Sequence, residues 1–357
     1  MVGSFQWRDT LLNINNMHIA FFEIEEWEEE ILREKLHKHD LQFFRDTLKP
    51  ENLAALSECD VLSVFIHSQI TREVIASMPQ LKLIATRSTG YNHIDLEAAN
   101  EREVLVSNVP TYGEHTVAEH TFALILALSR NIHKSHVRRL RNNFTIEGLK
   151  GFDLQGKTLG VVGTGKIGVH VIQIARAFEM KVVAFDVFPN EELAIKYGYE
   201  YLSLDEVLTQ SDIISLHAPY VKETYHLINK ENIKLVKPGA MLINTSRGEL
   251  VDNEALLWAL DQKILRGCGL DVIEGEELVR EEKELLYTNS MSIEKMTELV
   301  KDHMLLSRDE VVYTPHIAFF SEEALERILT MTIENIQVFI EGGHHNEVIL
   351  PKSKMLN

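Results

Sequence analysis

With 357 residues, 45% hydrophobic and 25% charged, the chain has the composition of an ordinary soluble protein and the length for two domains with their own cores. A formal net charge of −18 argues against nucleic acid and anionic membrane as partners. Cys59 and Cys268 stand in unrelated contexts with neither a disulfide framework nor a zinc spacing, which fits a reducing cytoplasm and leaves no metal site to expect.

In chain order, Met1 to Asn16 is polar and mixed, without the pattern of a signal peptide. Met17 to Phe22 reads as a first strand. Glu26 to Lys38 reads as a charged helix with Ile31, Leu32 and Leu36 facing inward. Val61 to Phe65 and Leu83 to Thr86 are further short apolar strands, so an α/β unit fills the first part of the chain. After Pro110 and Gly113, a long helix is expected from Glu114 to about Arg141. Its centre, Thr121 to Leu128, is apolar on every side, which calls for burial in an interdomain seam or a dimer interface. The apolar run Phe122 to Leu128 is too short to span a bilayer. Further on, Ser203 caps a helix with Glu206 three residues later, and Asp252 to Asp261 is helical. Strands are expected at Asp212 to Leu216, Ala240 to Asn244, Cys268 to Val272 and Val311 to Tyr313. Glu277 to Asp309 is acidic, helical in propensity, and reads as an insertion. A final helix runs from about Ser321 to Glu341 and ends at Gly342-Gly343.

The middle of the chain carries Gly163-Thr164-Gly165-Lys166-Ile167-Gly168, with Asp186 standing 18 residues beyond. Leu159 to Val162 enters the glycines as a strand, Val169 to Phe178 leaves them as a helix, and Lys181 to Phe185 is a strand ending at Asp186. That order is a dinucleotide-binding βαβ unit. Gly163 and Gly165 let the backbone turn and approach a pyrophosphate, and Gly168 packs helix on strand. The helix N-terminus then faces the phosphate charge. A carboxylate at Asp186 suits both ribose hydroxyls and repels a 2′-phosphate. No Arg follows in Val187-Phe188-Pro189-Asn190, so NAD is favoured over NADP. Because this unit sits mid-chain, a separate domain precedes it. The expected fold class is α/β, with two Rossmann-like, doubly wound parallel domains and a cleft between them. A substrate-binding domain, discontinuous in sequence, takes residues 1–111 plus 318–357. The NAD-binding domain takes residues 112–317.

Three strand ends after the glycines carry ionisable groups: Arg247, Asp271 with Glu274 and Glu276, and His316. The carboxyl ends of parallel strands face the ligand crevice, so Arg247, Asp271 or Glu276, and His316 are placed to converge. Each alone is more often an ion pair, a cap or a solvated face; the joint pattern suits hydride transfer to a 2-keto acid. A guanidinium binds the substrate carboxylate as a planar fork. An imidazole, which ordinarily titrates near neutrality, protonates the carbonyl oxygen as hydride arrives. A carboxylate partner favours the protonated ring, and Glu276 is the candidate. His115 and His120 evoke a zinc helix, but five residues put them about 140° apart around a helix, so they share no metal face. His344-His345 reads as a solvated tail, and Cys268 as a core filler.

In these residues the chain resembles the NAD-dependent D-isomer-specific 2-hydroxyacid dehydrogenases, nearest their D-lactate dehydrogenase branch. The resemblance covers about Val61 to Phe339. It rests on the run from Ala85 to Asp95, on Asn108-Val109-Pro110 and Val117-Ala118-Glu119-His120, and on the glycine turn with Asp186. It continues in Ile243 to Gly248 with Val251-Asp252, in Gly269 to Val272 with Glu274 and Glu276, and in Thr314-Pro315-His316. The resemblance implies Arg247 for the substrate carboxylate, His316 as acid/base and Glu276 as its partner. Lys166, Ile167, Asp186, Ala218, Pro219, Thr224, Thr245, Ser246, Arg247, Asp271 and His316 match cofactor contacts. Thr89 and Gly90 match a loop whose amides hold the carboxylate; Tyr112 and Phe319 match aromatics lining the substrate pocket and favour a small group, as in pyruvate. The loop Ser88 to His93 is bulkier than in many relatives, and 39 residues separate Glu276 from His316, more than in the shortest members. A cytoplasmic homodimer is expected. Other 2-keto acids such as glyoxylate or hydroxypyruvate are alternative substrates. An NAD-sensing, corepressor-like interaction protein is the alternative of another class, disfavoured because no disordered extension flanks the two domains.

Overall fold

A computed structural model describes residues 16–276 and 292–349. The polar segment at residues 1–15 and the first part of the acidic stretch, residues 277–291, lie outside the described residues. The chain divides into two compact units: Met1–Tyr112 with Ser321–Asn357, and Gly113–Phe320.

The first unit is built on β1 (His18–Phe21), β2 (Asp40–Phe43), β3 (Val61–Val64), β4 (Leu83–Thr86) and β5 (Leu105–Ser107). Its helices are α1 (Glu26–Lys35), α2 (Arg72–Ser77), α3 (Leu96–Glu101) and, from the far end of the chain, α11 (Glu322–Ile340). Every pairing is parallel and the strand order is β2-β1-β3-β4-β5. Strands buried on both faces need continuous apolar runs, and β3 and β4 are buried along their whole length. On one face Leu329, Ile333, Ile336 and Phe339 of α11 join Ile19, Phe21, Val61 and Leu83 in a common core. Sequence reading missed β2, β5, α2 and α3. β2 is a half-exposed edge strand reading Asp-Leu-Gln-Phe, and the other three elements are too short to show a period.

The second unit carries α4 (Glu114–Ser129), α5 (Ile132–Leu140), β6 (Thr158–Val162), α6 (Lys166–Ala177), β7 (Lys181–Phe185), α7 (Glu191–Tyr197) and β8 (Glu200–Tyr201). It continues with α8 (Leu204–Gln210), β9 (Ile213–Leu216), β10 (Ala240–Asn244), α9 (Asn253–Asp261), β11 (Leu265–Leu270), α10 (Ile293–Leu306) and β12 (Val311–Tyr313). The sheet is parallel throughout, in the order β12-β11-β10-β9-β6-β7-β8. Strand order reverses between β6 and β9, where a doubly wound sheet opens its ligand crevice. α8 begins with the expected capping box: Glu206 N donates to Ser203 Oγ (3.3 Å) and Ser203 N to the Glu206 carboxylate (2.9 Å).

The single helix expected from Glu114 to about Arg141 is two helices. Asn131 breaks it in the left-handed region at φ +52°, which a short amide side chain tolerates. The Ser129 carbonyl accepts from Phe152 N (3.0 Å), and Asn131 Nδ2 donates to the Lys150 carbonyl (3.3 Å). Nor does the apolar centre of α4 need a domain seam or a second chain to bury it. Phe122, Leu124, Ile125 and Leu128 lie in the core of the second unit with Val161, Val171 and Ile243, while Ala123 is exposed.

Candidate active site

The glycine turn leaves β6 at the switch point. Gly163 has φ +97°, and a Cβ there would lie 2.6 Å from Ala218 N, so only glycine lets β6 turn beside the end of β9. A Cβ on Gly168 would fall on the Gly163 carbonyl oxygen, which is the close helix-on-strand packing expected of the third glycine. Gly165, the N-cap of α6, has open space on its Cβ side and no side chain capping the helix. The first amides of α6, from Lys166 and Ile167 to Gly168, therefore meet an uncluttered approach, as an anion at a helix N-terminus requires. Lys166 Nζ lies 3.6 Å from Glu114 Oε1.

Asp186 follows β7. Its Oδ2 accepts from Thr164 N (2.6 Å) and Thr164 Oγ1 (3.0 Å), and its Oδ1 from Phe188 N (2.9 Å). A carboxylate has about four acceptor sites. The protein takes three, so the ready acceptance of both ribose hydroxyls expected from sequence narrows to one unshared site on Oδ1.

After β9, Ala218 and Pro219 start a turn that Thr224 closes, donating to the Pro219 carbonyl (2.7 Å) and accepting from Val221 N (2.8 Å). Ser246 Oγ donates to the Ala218 carbonyl (2.6 Å), tying the ends of β9 and β10 together. Thr245 Oγ1 lies 2.9 Å from Thr121 Oγ1 of α4. His217, between these strand ends, is half-buried, its ring nitrogen enclosed, with Ser215 Oγ 2.7 Å from Nε2. Burial pushes it down to about 3, so it stays neutral and takes no part in proton exchange near neutrality.

Arg247 follows β10. Asn244 holds its turn, Nδ2 donating to the Arg247 carbonyl (2.8 Å) and Oδ1 accepting from Ser246 N (3.1 Å). The guanidinium donates to the Ser246 carbonyl (2.7 Å) and, among the described residues, pairs with no carboxylate. Gly248 lets this turn press against the backbone of Ile273 and Glu274, where any Cβ would collide. The arginine turn and the segment carrying Glu276 are thus packed as one piece.

His316 follows β12. Its Nδ1 lies 2.8 Å from Glu276 Oε1. A carboxylate on Nδ1 leaves Nε2 as the nitrogen for exchange with a substrate. The other carboxylate oxygen, Oε2 of Glu276, is buried with no hydrogen-bond partner among the described residues. His316 sits at φ +53°, an uncommon conformation for a non-glycine residue that the surroundings must enforce. Asp271 enforces it. Its buried carboxylate accepts from Thr314 Oγ1 (2.5 Å), Ile317 N (3.0 Å) and Ala318 N (2.9 Å), while its carbonyl accepts from His316 N (2.9 Å). Asp271, expected as a cofactor contact, spends most of its acceptor capacity on the turn that holds the histidine. Phe319 closes that turn with its ring 6.3 Å from the imidazole, edge to face.

Thr89, Gly90 and Tyr112 belong to the first unit. Thr89 Oγ1 donates to the Val109 carbonyl (2.7 Å), Asn108 Nδ2 to the Thr89 carbonyl (2.8 Å) and Ser88 Oγ to the Gly90 carbonyl (2.6 Å). The carbonyls of this loop are satisfied from within, and no acceptor in the described chain takes the Thr89 and Gly90 amides. Sequence reading did not find Thr164, Asn244, Gly248 or Asn253 as supports of the site. Gly248 beside Arg247 was the one visible signal. Among the described residues no cluster of metal-ligating side chains forms; the His115 ring lies tilted by 43° against His170 (3.8 Å between centroids) and His344 Nδ1 pairs with Glu347 (3.0 Å). No helix among the described residues is long and apolar enough to cross a membrane.

Residues 122–318 match the family model described as D-isomer specific 2-hydroxyacid dehydrogenase, NAD binding domain. The chain is 34% identical over 333 residues to D-lactate dehydrogenase of Escherichia coli, covering 91% of this chain and 98% of that one. It is 39% identical over 317 residues to an aromatic 2-oxoacid reductase of Clostridium sporogenes, covering 87% of this chain and 92% of that one. Among solved structures, D-lactate dehydrogenase of Aquifex aeolicus, complexed with NAD and lactic acid, superposes with a TM-score of 0.81 at 37% identity. That match covers 94% of this chain and 100% of the other. The chain belongs to the D-isomer-specific 2-hydroxyacid dehydrogenase family, in its D-lactate dehydrogenase branch, and is an NAD-dependent D-2-hydroxyacid dehydrogenase.

Proposed function

We propose that the chain reduces a small 2-keto acid, pyruvate foremost, to the D-2-hydroxy acid, reversibly, with His316 as acid/base, Glu276 as its partner and Arg247 on the substrate carboxylate. The observation that carries this reading is the Glu276–His316 pair at 2.8 Å, on the same packed piece as a guanidinium that pairs with no carboxylate among the described residues. The residues of the second unit fit the cofactor: open space at Gly165, the free amides of α6, and one acceptor site left on Asp186. When bound, the reduced nicotinamide supplies the hydride to the carbonyl carbon. His316 gives its Nε2 proton to the carbonyl oxygen, which becomes the hydroxyl. Glu276, hydrogen-bonded to Nδ1, holds the plane of the ring and turns Nε2 to the substrate. Arg247 orients the keto acid as a planar fork.

A panel of pyruvate, glyoxylate, hydroxypyruvate, a branched 2-keto acid and phenylpyruvate, each with NADH and chiral product analysis, tests the reading. Fastest turnover of pyruvate to the D-acid is the expected result. An L-product or no turnover on any member removes it. A preference for phenylpyruvate would instead favour the aromatic reading suggested by the Clostridium relative. Feeble turnover together with NADH-dependent peptide binding would favour the corepressor-like alternative.

The exposed apolar side chains of α5 and the turn after it, Leu140, Phe144 and Ile146, support a homodimer, which light scattering of the purified protein checks. A cytoplasmic setting is supported by two buried, free cysteines.

A further inference from the structure

Tyr199 precedes and Tyr201 ends the short edge strand β8, remote in sequence from the glycine turn, and their hydroxyls form a chain that ends on Asp186. Tyr199 and Tyr201 are 3.0 Å apart at their hydroxyls, Tyr201 is 2.7 Å from Thr164 Oγ1, and Thr164 Oγ1 is 3.0 Å from Asp186 Oδ2. The direction of each hydrogen follows from counting donors. A carboxylate only accepts, so the single Thr164 hydroxyl hydrogen goes to Asp186. Thr164 Oγ1 must then accept from Tyr201. With its own hydrogen committed, Tyr201 accepts from Tyr199 and from Asn190 N (3.1 Å), which fills its capacity. The chain runs one way, Tyr199 to Tyr201 to Thr164 to Asp186. Tyr199 and Thr164 are buried, so these hydroxyls have little water to turn to. Burial first, and then the Tyr201 hydroxyl and the Asp186 charge, push the Tyr199 phenol up, which keeps the chain's donor end protonated.

Two parts of the proposed ribose site hang on Tyr201. Through Thr164 it holds Oδ2 of Asp186 against the glycine turn and leaves Oδ1 as the reading atom. Through Asn190 N it ties down the loop that follows Asp186, Val187-Phe188-Pro189-Asn190. We propose that Tyr201, acting through Thr164 and Asn190, is a positioning residue for cofactor choice: it fixes the carboxylate and the loop beyond it so that a ribose 2′-hydroxyl is accepted and a 2′-phosphate is refused. The proposal rests on Asp186 as the reader of the ribose. A carboxylate free to turn away, beside a loop free to retreat, loses both effects.

The test is direct binding, without turnover. The Kd values of NADH and NADPH are measured by fluorescence titration for the wild type, Tyr201→Phe, Thr164→Val, Thr164→Ser and Asp186→Ala. Tyr201→Phe and the shape-matched Thr164→Val each cut the NADPH-to-NADH Kd ratio by about fivefold to tenfold, the worth of one hydrogen bond. Thr164→Ser, which keeps the hydroxyl, keeps the ratio. Should Tyr201→Phe fail to fold, the Val and Ser pair at position 164 gives the same answer. If Asp186→Ala collapses the ratio while Tyr201→Phe and Thr164→Val hold it at the wild-type value, the hydroxyl chain is overturned and Asp186 stands. If Asp186→Ala itself leaves the ratio unchanged, the reading of Asp186 falls and the chain with it.

Discussion

In the proposed reaction His316, Glu276 and Arg247 divide the chemistry in a way that single substitutions separate. His316→Gln keeps a polar side chain of similar reach but offers no exchangeable charge. The expected loss in kcat is on the order of 10²- to 10⁴-fold, with the Kd of NADH held within about twofold. A kcat near wild type would move the acid/base role elsewhere. Arg247→Lys keeps the charge and loses the fork, so kcat/KM for the keto acid falls by about 10²-fold. Steady-state kinetics on the preferred acid checks it, and unchanged values would take Arg247 out of the site. These residues were legible in the sequence because each stands just beyond a strand of a parallel sheet. The left-handed backbone of His316 and the use of Asp271 to hold it were not legible, since the contacts that enforce them come from Thr314, Ile317 and Ala318 folding back over the carboxylate.

At the scale of elements, α10 supports the Glu276 segment from behind. Asp302 on α10 accepts from Asn253 Nδ2 (2.8 Å), and the same amide reaches the Glu274 carbonyl (3.2 Å). Asp302 is buried, its Oδ2 has no hydrogen-bond partner among the described residues, and Glu298 and Glu274 add negative charge nearby. Burial first, then those neighbours, push its carboxyl up to about 7, against the Asn253 hydrogen bond. The folded state therefore binds this proton more tightly than the unfolded chain does. Stability from this group is complete below about pH 4 and is lost as pH rises through about 7. Asp302→Asn keeps the acceptor for Asn253 and removes the titration. Its melting temperature should exceed wild type by more at pH 8 than at pH 5; a difference independent of pH would remove Asp302 as the cause. The acidic stretch was visible in the sequence, but the partners of its buried Asp302 were not. The same holds for the helix that was read as continuous past Asn131. Its apolar run hides a break that depends on Phe152 and Lys150, some twenty residues later in the chain.

Across the whole molecule, two parallel sheets of different strand order stand in two compact units, and only the second carries the glycine turn. A ligand that binds only the folded chain stabilises it by mass action. NADH at about 100 times its Kd should add about 2.7 kcal/mol to the unfolding free energy of the unit that binds it. A thermal melt should show the midpoint climbing with NADH concentration, and climbing less with NADPH at the same concentrations. A midpoint indifferent to NADH would count against the cofactor site.

By itself the sequence determined the parallel α/β class, the glycine turn with Asp186, the candidate residues at the strand ends and the capping box of α8. These are properties of neighbours in the chain: a period of apolar residues, a glycine where the backbone must turn, a serine ahead of a glutamate. Tertiary structure alone decided which atoms remain available. Asp186 keeps one acceptor site because Thr164 and Phe188 take the rest, Asp271 is spent on the histidine turn, and Tyr201 reaches Thr164 across 37 residues of chain. Hydrogen-bond capacity is consumed by whatever the fold brings near, and no local pattern records those distant partners.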